Sequence, residues 1–199
     1  MSDQMNTPAS LSQELINEFV VAAHFDLPKV QQLLAEKPEL LNENADWVET
    51  PIQAAAHTNN REIVEFLLSH GAPLDITTAA MLGRFEDVEA MLDEDPEMID
   101  DTGAHNIPLM YFAVIGGSLP IATLLFDLGA TLNSPDGTVS PLHGAALFGL
   151  TEMAQWLLDN DANPYSVDFE GKSAFDRAKQ GGRTEIVALL RPFFPDDTN

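Results

Sequence analysis

The sequence predicts an all-α fold, a solenoid of about six stacked helix–turn–helix units. One observation is the stretch Ser140–Leu158, where a Ser-Pro helix start, a double alanine, a glycine break and a second apolar helix follow one another. Similar stretches occur at Thr50–Leu68 and Ser173–Leu190. The leading alanine also recurs at a fixed interval, since Ala145 and Ala178 are 33 residues apart. Helices this short bury their apolar faces only against neighbouring copies, so the recurrence predicts an array.

Taken in order, the chain begins with a polar segment, residues 1–10, which we expect to be a disordered tail. A single array is predicted over residues 11–191, and residues 192–199 form an acidic tail that we expect to fray. The predicted repeats of the array are 14–46, 47–75, 76–101, 102–133, 134–168 and 169–191.

The third repeat departs from the pattern. The loop that joins the second helix of one repeat to the first helix of the next is here called the finger. Ala55 and Ala79 are only 24 residues apart, nine fewer than the usual interval, although both helices of the third repeat are recognisable around the break at Gly83. The sequence therefore predicts that the third repeat lacks its finger.

The motifs SPLHGAALFG and TPIQAAA resemble the ankyrin repeat family, whose signature is T-P-L-H-x-A-A followed by a glycine and a closing Gly-Ala. The resemblance extends over roughly nine tenths of the chain. It implies a helical solenoid in which fingers project from one side and the first helices line a concave groove. It also implies a module that binds another protein through that groove and through the fingers.

The composition restricts the function. The chain has no cysteine, and its 32 acidic and 9 basic residues give a formal net charge of −23. That charge repels phosphate backbones and anionic membranes, so we expect no binding to nucleic acid or membrane. No apolar run approaches about 18 residues, and the polar start predicts no cleaved export signal. The lack of cysteine is compatible with the cytoplasmic location that we expect.

The acidic residues are unevenly distributed. Nine of them, and no basic residue, lie between Glu86 and Asp101, a segment called the acidic run below. One interpretation is solubility alone. The other is recruitment of a basic partner, including the possibility that the chain is an acidic decoy of a basic nucleic-acid-binding protein. The sequence leaves both interpretations open.

Three histidines are candidates for chemistry. In the family the histidine of the PLH motif, here His143, ties neighbouring turns together by hydrogen bonds, so we expect a structural role. His24 and His57 each follow the double alanine, one repeat apart, and we expect both rings to face the same concavity. Two histidines without a third ligand make a poor zinc site, so no metal, cofactor or catalytic residue is predicted.

The predicted partner-binding site is an apolar stripe in the groove. In the family the two residues after the double alanine face the concave side, and in the three central repeats these positions are all apolar. Trp47 stands in a finger, where it either faces a partner or folds back on the first repeat. The predicted site residues are Phe25, Trp47, Met81, Leu82, Tyr111, Val114, Ile115, Leu147 and Phe148.

The sequence thus favours a non-catalytic, monomeric module that binds another protein, through an apolar or amphipathic segment of that partner. The alternatives are a small-molecule binder or enzyme that uses the concave pocket, and the acidic decoy described above. An enzyme would gather ionisable groups with shifted pKa values in one closed pocket, whereas a solenoid offers an open groove.

Overall fold

A computed structural model of the chain describes residues 11–195. The predicted tail at residues 1–10 and the end of the acidic tail, 196–199, lie outside the described residues. Between them the chain forms twelve α-helices in six consecutive pairs, and apart from two isolated β-bridges this part of the chain has no strand. The prediction of an all-α fold is confirmed.

The α-helices are α1 Gln13–Ala23, α2 Leu27–Glu36, α3 Pro51–His57, α4 Arg61–Ser69, α5 Ile76–Leu82, α6 Phe85–Glu94, α7 Leu109–Ile115, α8 Leu119–Asp127, α9 Pro141–Phe148, α10 Thr151–Asp159, α11 Ala174–Gln180 and α12 Thr184–Leu190. Short 3₁₀ turns occupy Pro38–Asn42, Pro96–Asp100, Ala104–Asn106 and Arg191–Phe193. Six residues, 70–75, connect α4 to α5, whereas fourteen, 37–50, connect α2 to α3. The short connection agrees with the predicted loss of the third finger.

Local signals explain where the first helices begin and end. Thr50 and Ser140 cap α3 and α9. In both cases the side chain of the third helical residue accepts a hydrogen bond from the backbone N–H of the capping residue. Gly149 ends α9 in the left-handed conformation, with φ of +76°. Asn59, which takes the place of that glycine after α3, also has a positive φ of +56°. Asparagine tolerates this conformation better than most residues, so the two repeats end alike.

The helices fall into two compact units, one that ends at Pro73 and one that begins at Leu74. In the first unit α1 packs on α2 and α3, and α3 packs on α4. The side chains of Phe19, Val20, Ile63 and Leu67 are fully buried there. Ala55 lies on α3 and is also fully buried, as the repeat pattern predicted.

In the second unit the first helices of successive pairs pack in sequence, α5 on α7, α7 on α9 and α9 on α11. The second helices follow the same order, with α8 against α6 and α12 against α10. The alanines that the repeat pattern aligns, Ala79, Ala113, Ala145 and Ala178, all have no exposed surface. Small side chains at these positions let neighbouring first helices approach closely.

The C-terminal end of the array extends beyond the predicted residue 191. Phe194 stacks on Phe175 of α11, with ring centroids 4.9 Å apart and planes inclined by 5°. Tyr165 contacts the same ring of Phe194 at 5.6 Å. The sequence predicts that residues 192–194 belong to a fraying tail. In the structure the aromatic side chains among them instead cover the last helix pair.

The packing of the first helices generates a testable prediction. Ala145→Leu should lower the free energy of unfolding by about 1–3 kcal/mol, because it adds volume to a contact that is already filled. Chemical denaturation followed by circular dichroism measures the effect. Ala90 on α6 is exposed, so Ala90→Leu adds the same volume in the same unit without crowding and should change stability little. Equal stability of the two variants would show that the assigned helix packing is wrong.

Candidate functional site

The predicted groove is mostly filled by the protein itself. Five of the nine predicted site residues are buried in the second unit: Met81, Leu82, Tyr111, Val114 and Ile115. The most exposed of them, Leu82, shows 8% of its surface. The prediction that these five side chains form an exposed apolar stripe is therefore wrong.

Close approach of the first helices explains this burial. Gly144 on α9 has no side chain, and a Cβ placed there would lie 2.7 Å from Cγ2 of Ile115 and 2.9 Å from the ring of Tyr111. Gly116, at the end of α7, is similarly tight against the carbonyl oxygen of Met81. The side chains of Ile115 and Tyr111 therefore occupy the space that Gly144 leaves, whereas Gly116 lets the backbone of α5 approach. Burial raises the pKa of the Tyr111 phenol to about 12.

The other four predicted site residues keep accessible surface. Phe25 is 72% exposed, Leu147 and Trp47 are also exposed, and Phe148 is half-buried. Phe25 and Trp47 belong to the first unit, and Leu147 and Phe148 to the second. Binding of a partner by these four residues stays a prediction.

A cluster of polar side chains lies in the first unit, where His24, Glu49 and His57 meet. It is called the histidine–glutamate cluster below. Nε2 of His24 lies 3.6 Å from Oε2 of Glu49, and Nδ1 of His57 lies 3.0 Å from Oε1 of Glu49. The two imidazole rings are in edge contact, with centroids 5.0 Å apart and planes inclined by 79°. One potential metal-ligating atom from each of the three residues lies within 4.8 Å of the other two.

The repeat architecture positions these three side chains. His24 immediately follows α1, and His57 is the last residue of α3, so the packing of α1 on α3 brings the two rings together as predicted. Glu49 comes from the finger, just before the helix cap at Thr50, and only 1% of its surface is exposed. The finger thus delivers a carboxylate to the histidine pair, so that, contrary to the expectation from the sequence, a third group able to bind a metal lies beside the two rings.

Neighbouring groups fix the orientation of the cluster. Nδ1 of His24 is 2.9 Å from the carbonyl oxygen of Val20, one turn earlier on its helix. Nδ1 of His57 is 3.1 Å from the equivalent carbonyl oxygen, that of Gln53. The indole N–H of Trp47 donates a hydrogen bond of 2.5 Å to Oε2 of Glu49. Trp47 is thus both partly exposed and tied back to the first unit.

The electrostatics of Glu49 reflect two opposing effects. Burial raises the pKa of the carboxyl group, whereas hydrogen bonds from His57 and Trp47 and the nearby imidazoles lower it. The lowering effects together are stronger, so the pKa lies below its ordinary value of 4.5 and the side chain is a carboxylate at neutral pH.

Sequence reasoning missed Glu49 because fingers are usually exposed and because acidic residues are abundant in this chain. A usable signal was present nonetheless. The acid stands directly before the Thr-Pro helix start of the repeat that carries the second histidine.

His143 has the structural role that was predicted. Its Nδ1 accepts the backbone N–H of Ser140 at 3.2 Å, so the neutral ring carries its proton on Nε2. That Nε2–H donates to the carbonyl oxygen of Lys172 at 2.9 Å, in the finger before the next first helix. The ring therefore joins two successive repeats.

The acidic run is exposed, as predicted. All nine of its acidic residues, on α6 and the turns after it, have exposed side chains. Arg84 and Asp87 form a weak surface ion pair of 3.8 Å at the start of the run. Recruitment of a basic partner by this surface stays a prediction.

Comparison with known families confirms the resemblance that the motifs suggested. The family described as "Ankyrin repeats (3 copies)" matches residues 76–168 and 109–197, and "Ankyrin repeat" matches residues 49–79. The chain belongs to the ankyrin repeat family. The matched residues include both motifs and all helix pairs from α3 onward.

Several curated proteins share stretches of this ankyrin repeat sequence. Human ARF GTPase-activating protein GIT1 is 35% identical over 83 residues, which are 41% of this chain and 11% of that protein. Rat ankyrin repeat and SAM domain-containing protein 6 is 29% identical over 120 residues, 58% of this chain and 14% of that protein. The palmitoyltransferase AKR1 of Lachancea kluyveri is 25% identical over 166 residues, 75% of this chain and 22% of that protein. The chain thus spans between about a tenth and a quarter of these relatives.

No helix within residues 11–195 combines the length and the apolar character that a membrane span needs.

The burial of His143 predicts a pH dependence of stability. Burial lowers the pKa of this imidazole below its ordinary value of 6.5, although the Lys172 carbonyl and the Asp168 carboxylate favour the charged ring. The unfolded chain therefore binds a proton more readily than the folded chain. The associated stability is present above pH 6.5 and is lost as the pH falls through the folded-state pKa.

We expect His143→Gln to lower the free energy of unfolding by about 1–3 kcal/mol at neutral pH, because the buried groups that hydrogen-bond to the ring lose their partner. The difference should shrink as the pH is lowered from about 7 to about 5, because only the unmodified chain has this proton to take up on unfolding. Denaturation curves at a series of pH values test both points. A difference that is constant with pH would contradict the prediction.

Proposed function

We propose that the chain is a non-catalytic ankyrin repeat module that binds another protein. Membership of the ankyrin repeat family supports a protein-interaction module in general terms. The observation that carries the finer proposal is the exposure of large apolar side chains at the ends of first helices. Phe25 lies two residues after α1, and Leu147 is near the end of α9. Exposed apolar side chains at the ends of two first helices favour contact with a partner over contact with water.

In this proposal the partner offers an apolar or amphipathic segment, and each unit contributes its own exposed residues. Phe25 and Trp47 flank the histidine–glutamate cluster of the first unit through His24 and Glu49, respectively. Aromatic side chains are over-represented among residues that dominate binding energy. The net charge of −23 favours a partner whose segment also carries basic residues at its edge.

The alternative of a binder or enzyme that uses a concave pocket has less support. Tyr111, Val114 and Ile115, which that pocket would need at its surface, are buried. The acidic decoy remains a distinct candidate, because the acidic run is exposed. Its contact would be dominated by charge, whereas the proposed contact is dominated by apolar surface.

The proposal predicts that polar substitution of the exposed side chains weakens capture of a partner. Phe25→Asp and Leu147→Asp should each reduce binding by about tenfold or more, which corresponds to about 1.4 kcal/mol, without a change in fold. The measurement is affinity capture with chemical cross-linking and mass spectrometry, followed by affinity determination for the partner that is captured. Circular dichroism verifies the fold of each variant.

A matched control is Leu128→Asp, because Leu128 is also an exposed leucine of the second unit but lies after a second helix, α8. It should capture the same partner as the unmodified chain. Equal capture by all three variants would contradict the assignment of these residues. Loss of binding at high salt with no effect of the apolar substitutions would favour the acidic decoy, since salt screens exposed charges over about 8–10 Å.

A further inference from the structure

We propose that His24, Glu49 and His57 form a binding site for a divalent first-row transition-metal ion, with zinc as the ion of choice. This site is independent of the proposed protein contact. It rests on the donor atoms of the histidine–glutamate cluster, on their spacing, on their supporting hydrogen bonds and on their burial.

The donor set is one that zinc uses in proteins. Two imidazole nitrogens and one carboxylate oxygen form the three protein ligands of a common type of zinc site, with water in the fourth position. Thiolate ligands are not required for this type, so the lack of cysteine does not exclude it. The mixture of nitrogen and oxygen donors disfavours calcium and magnesium, which prefer oxygen alone.

The spacing of the donors fits one ion. Ligands at about 2.0–2.2 Å from a tetrahedral zinc are about 3.3 Å from each other. Nε2 of His24 lies 3.6 Å from Oε2 of Glu49, close to that value, and one ligand atom from each of the three residues lies within 4.8 Å of the others. The N–H on Nδ1 of His57 points to the acceptors Glu49 and Gln53, so binding requires side-chain rotations that direct a nitrogen lone pair of His57 to the ion.

Supporting hydrogen bonds are already in place around the ligands. Metal-ligating histidines generally donate their second ring N–H to a carbonyl or carboxylate, which fixes the ring. Nδ1 of His24 faces the carbonyl oxygen of Val20 at 2.9 Å, so its Nε2 is directed to Glu49 with the lone pair available. The indole N–H of Trp47 holds the carboxylate of Glu49 in the same way. These hydrogen bonds thus orient His24 and Glu49 before an ion binds.

Burial and charge also favour a cation. The Glu49 carboxylate is 1% exposed, and a buried anion is costly unless positive charge or hydrogen bonds compensate it. A divalent ion supplies that charge directly between the three residues. The side chains of His24 and His57 are 20% and 14% exposed, which gives an ion a route from solvent and leaves room for water as the fourth ligand.

The consequence of binding would be structural. The three ligands come from the end of α1, from the finger and from the end of α3, so one ion would join the two repeats of the first unit. An ion that binds only the folded state raises the stability of the chain with the logarithm of its free concentration once that exceeds the dissociation constant.

The test uses the full chain after dialysis against a chelator. Zinc binding is measured by isothermal titration calorimetry and by tryptophan fluorescence in a Trp156→Phe background, where Trp47, whose indole contacts the ligand Glu49, is the remaining tryptophan. The many surface carboxylates bind cations weakly, so the titration is done in excess magnesium, which occupies oxygen sites but competes poorly for imidazole. We expect one zinc ion per chain and a higher melting temperature with zinc.

Variants identify the ligands. Glu49→Gln keeps the shape of the side chain but removes its charge, and His57→Gln removes a nitrogen donor. Each should weaken zinc binding by about 100-fold or more, because loss of a supporting group alone costs about 10–100-fold in other sites. His70→Gln is the matched control, since His70 is an exposed histidine of the same unit that stacks on Phe66 outside the cluster. It should bind zinc like the unmodified chain.

A measurement without substitutions keeps the proposal testable if a ligand variant fails to fold. Cobalt(II) bound in a four- or five-coordinate site with histidine ligands absorbs visible light strongly, whereas cobalt on surface carboxylates resembles the pale hydrated ion. We expect the strong absorption, and added zinc should abolish it by displacing the cobalt. The hydrated-ion spectrum in the unmodified chain, or equal zinc affinity in the unmodified chain and the folded Glu49→Gln and His57→Gln variants, would overturn the proposal.

Discussion

Close packing between first helices through alanine and glycine is the constraint on which the rest of the second unit depends. Ala113 and Ala145 have no exposed surface, and Gly144 leaves no room for a Cβ against the side chains of α7. Helices this close force the larger residues beside the alanines to fill the remaining space. That is why Tyr111 and Ile115 are core residues although their positions in the repeat usually face a groove.

Histidines serve the two ends of a first helix in different ways. His143 lies in the first turn of α9, is buried, and uses both ring nitrogens to join its own helix cap to the next finger. His24 and His57 lie at the far ends of α1 and α3, keep some exposure, and converge on a carboxylate. In the first arrangement both ring nitrogens have hydrogen-bond partners. The second places the Nε2 atom of His24 beside the Glu49 carboxylate, which is the observation from which we propose the metal site.

The fold alone does not fix the function. The similar proteins include a GTPase-activating protein and a palmitoyltransferase, and this chain matches only a minor part of each. The features of this chain that bear on function are carried on the repeats: exposed Phe25 and Leu147, an exposed acidic run, and a buried carboxylate beside two histidines. Each feature lies on surfaces or ends of the repeat, where changes do not disturb the packing of the alanines.

The sequence by itself determined the helix pairs, the buried alanines and the shortened third connection, because these follow from local capping signals and from a repeat interval that is visible in the chain. The structural role of His143 followed from the resemblance of its motif to the ankyrin repeat family. Only the tertiary structure decided which apolar residues near the groove are exposed, since that depends on the distance between helices that are far apart in sequence. The tertiary structure also decided which side chain contacts His24 and His57. The repeat pattern brought the two rings together, but Glu49 reaches them through the path of a finger, and the conformation of a loop is not encoded in helical periodicity.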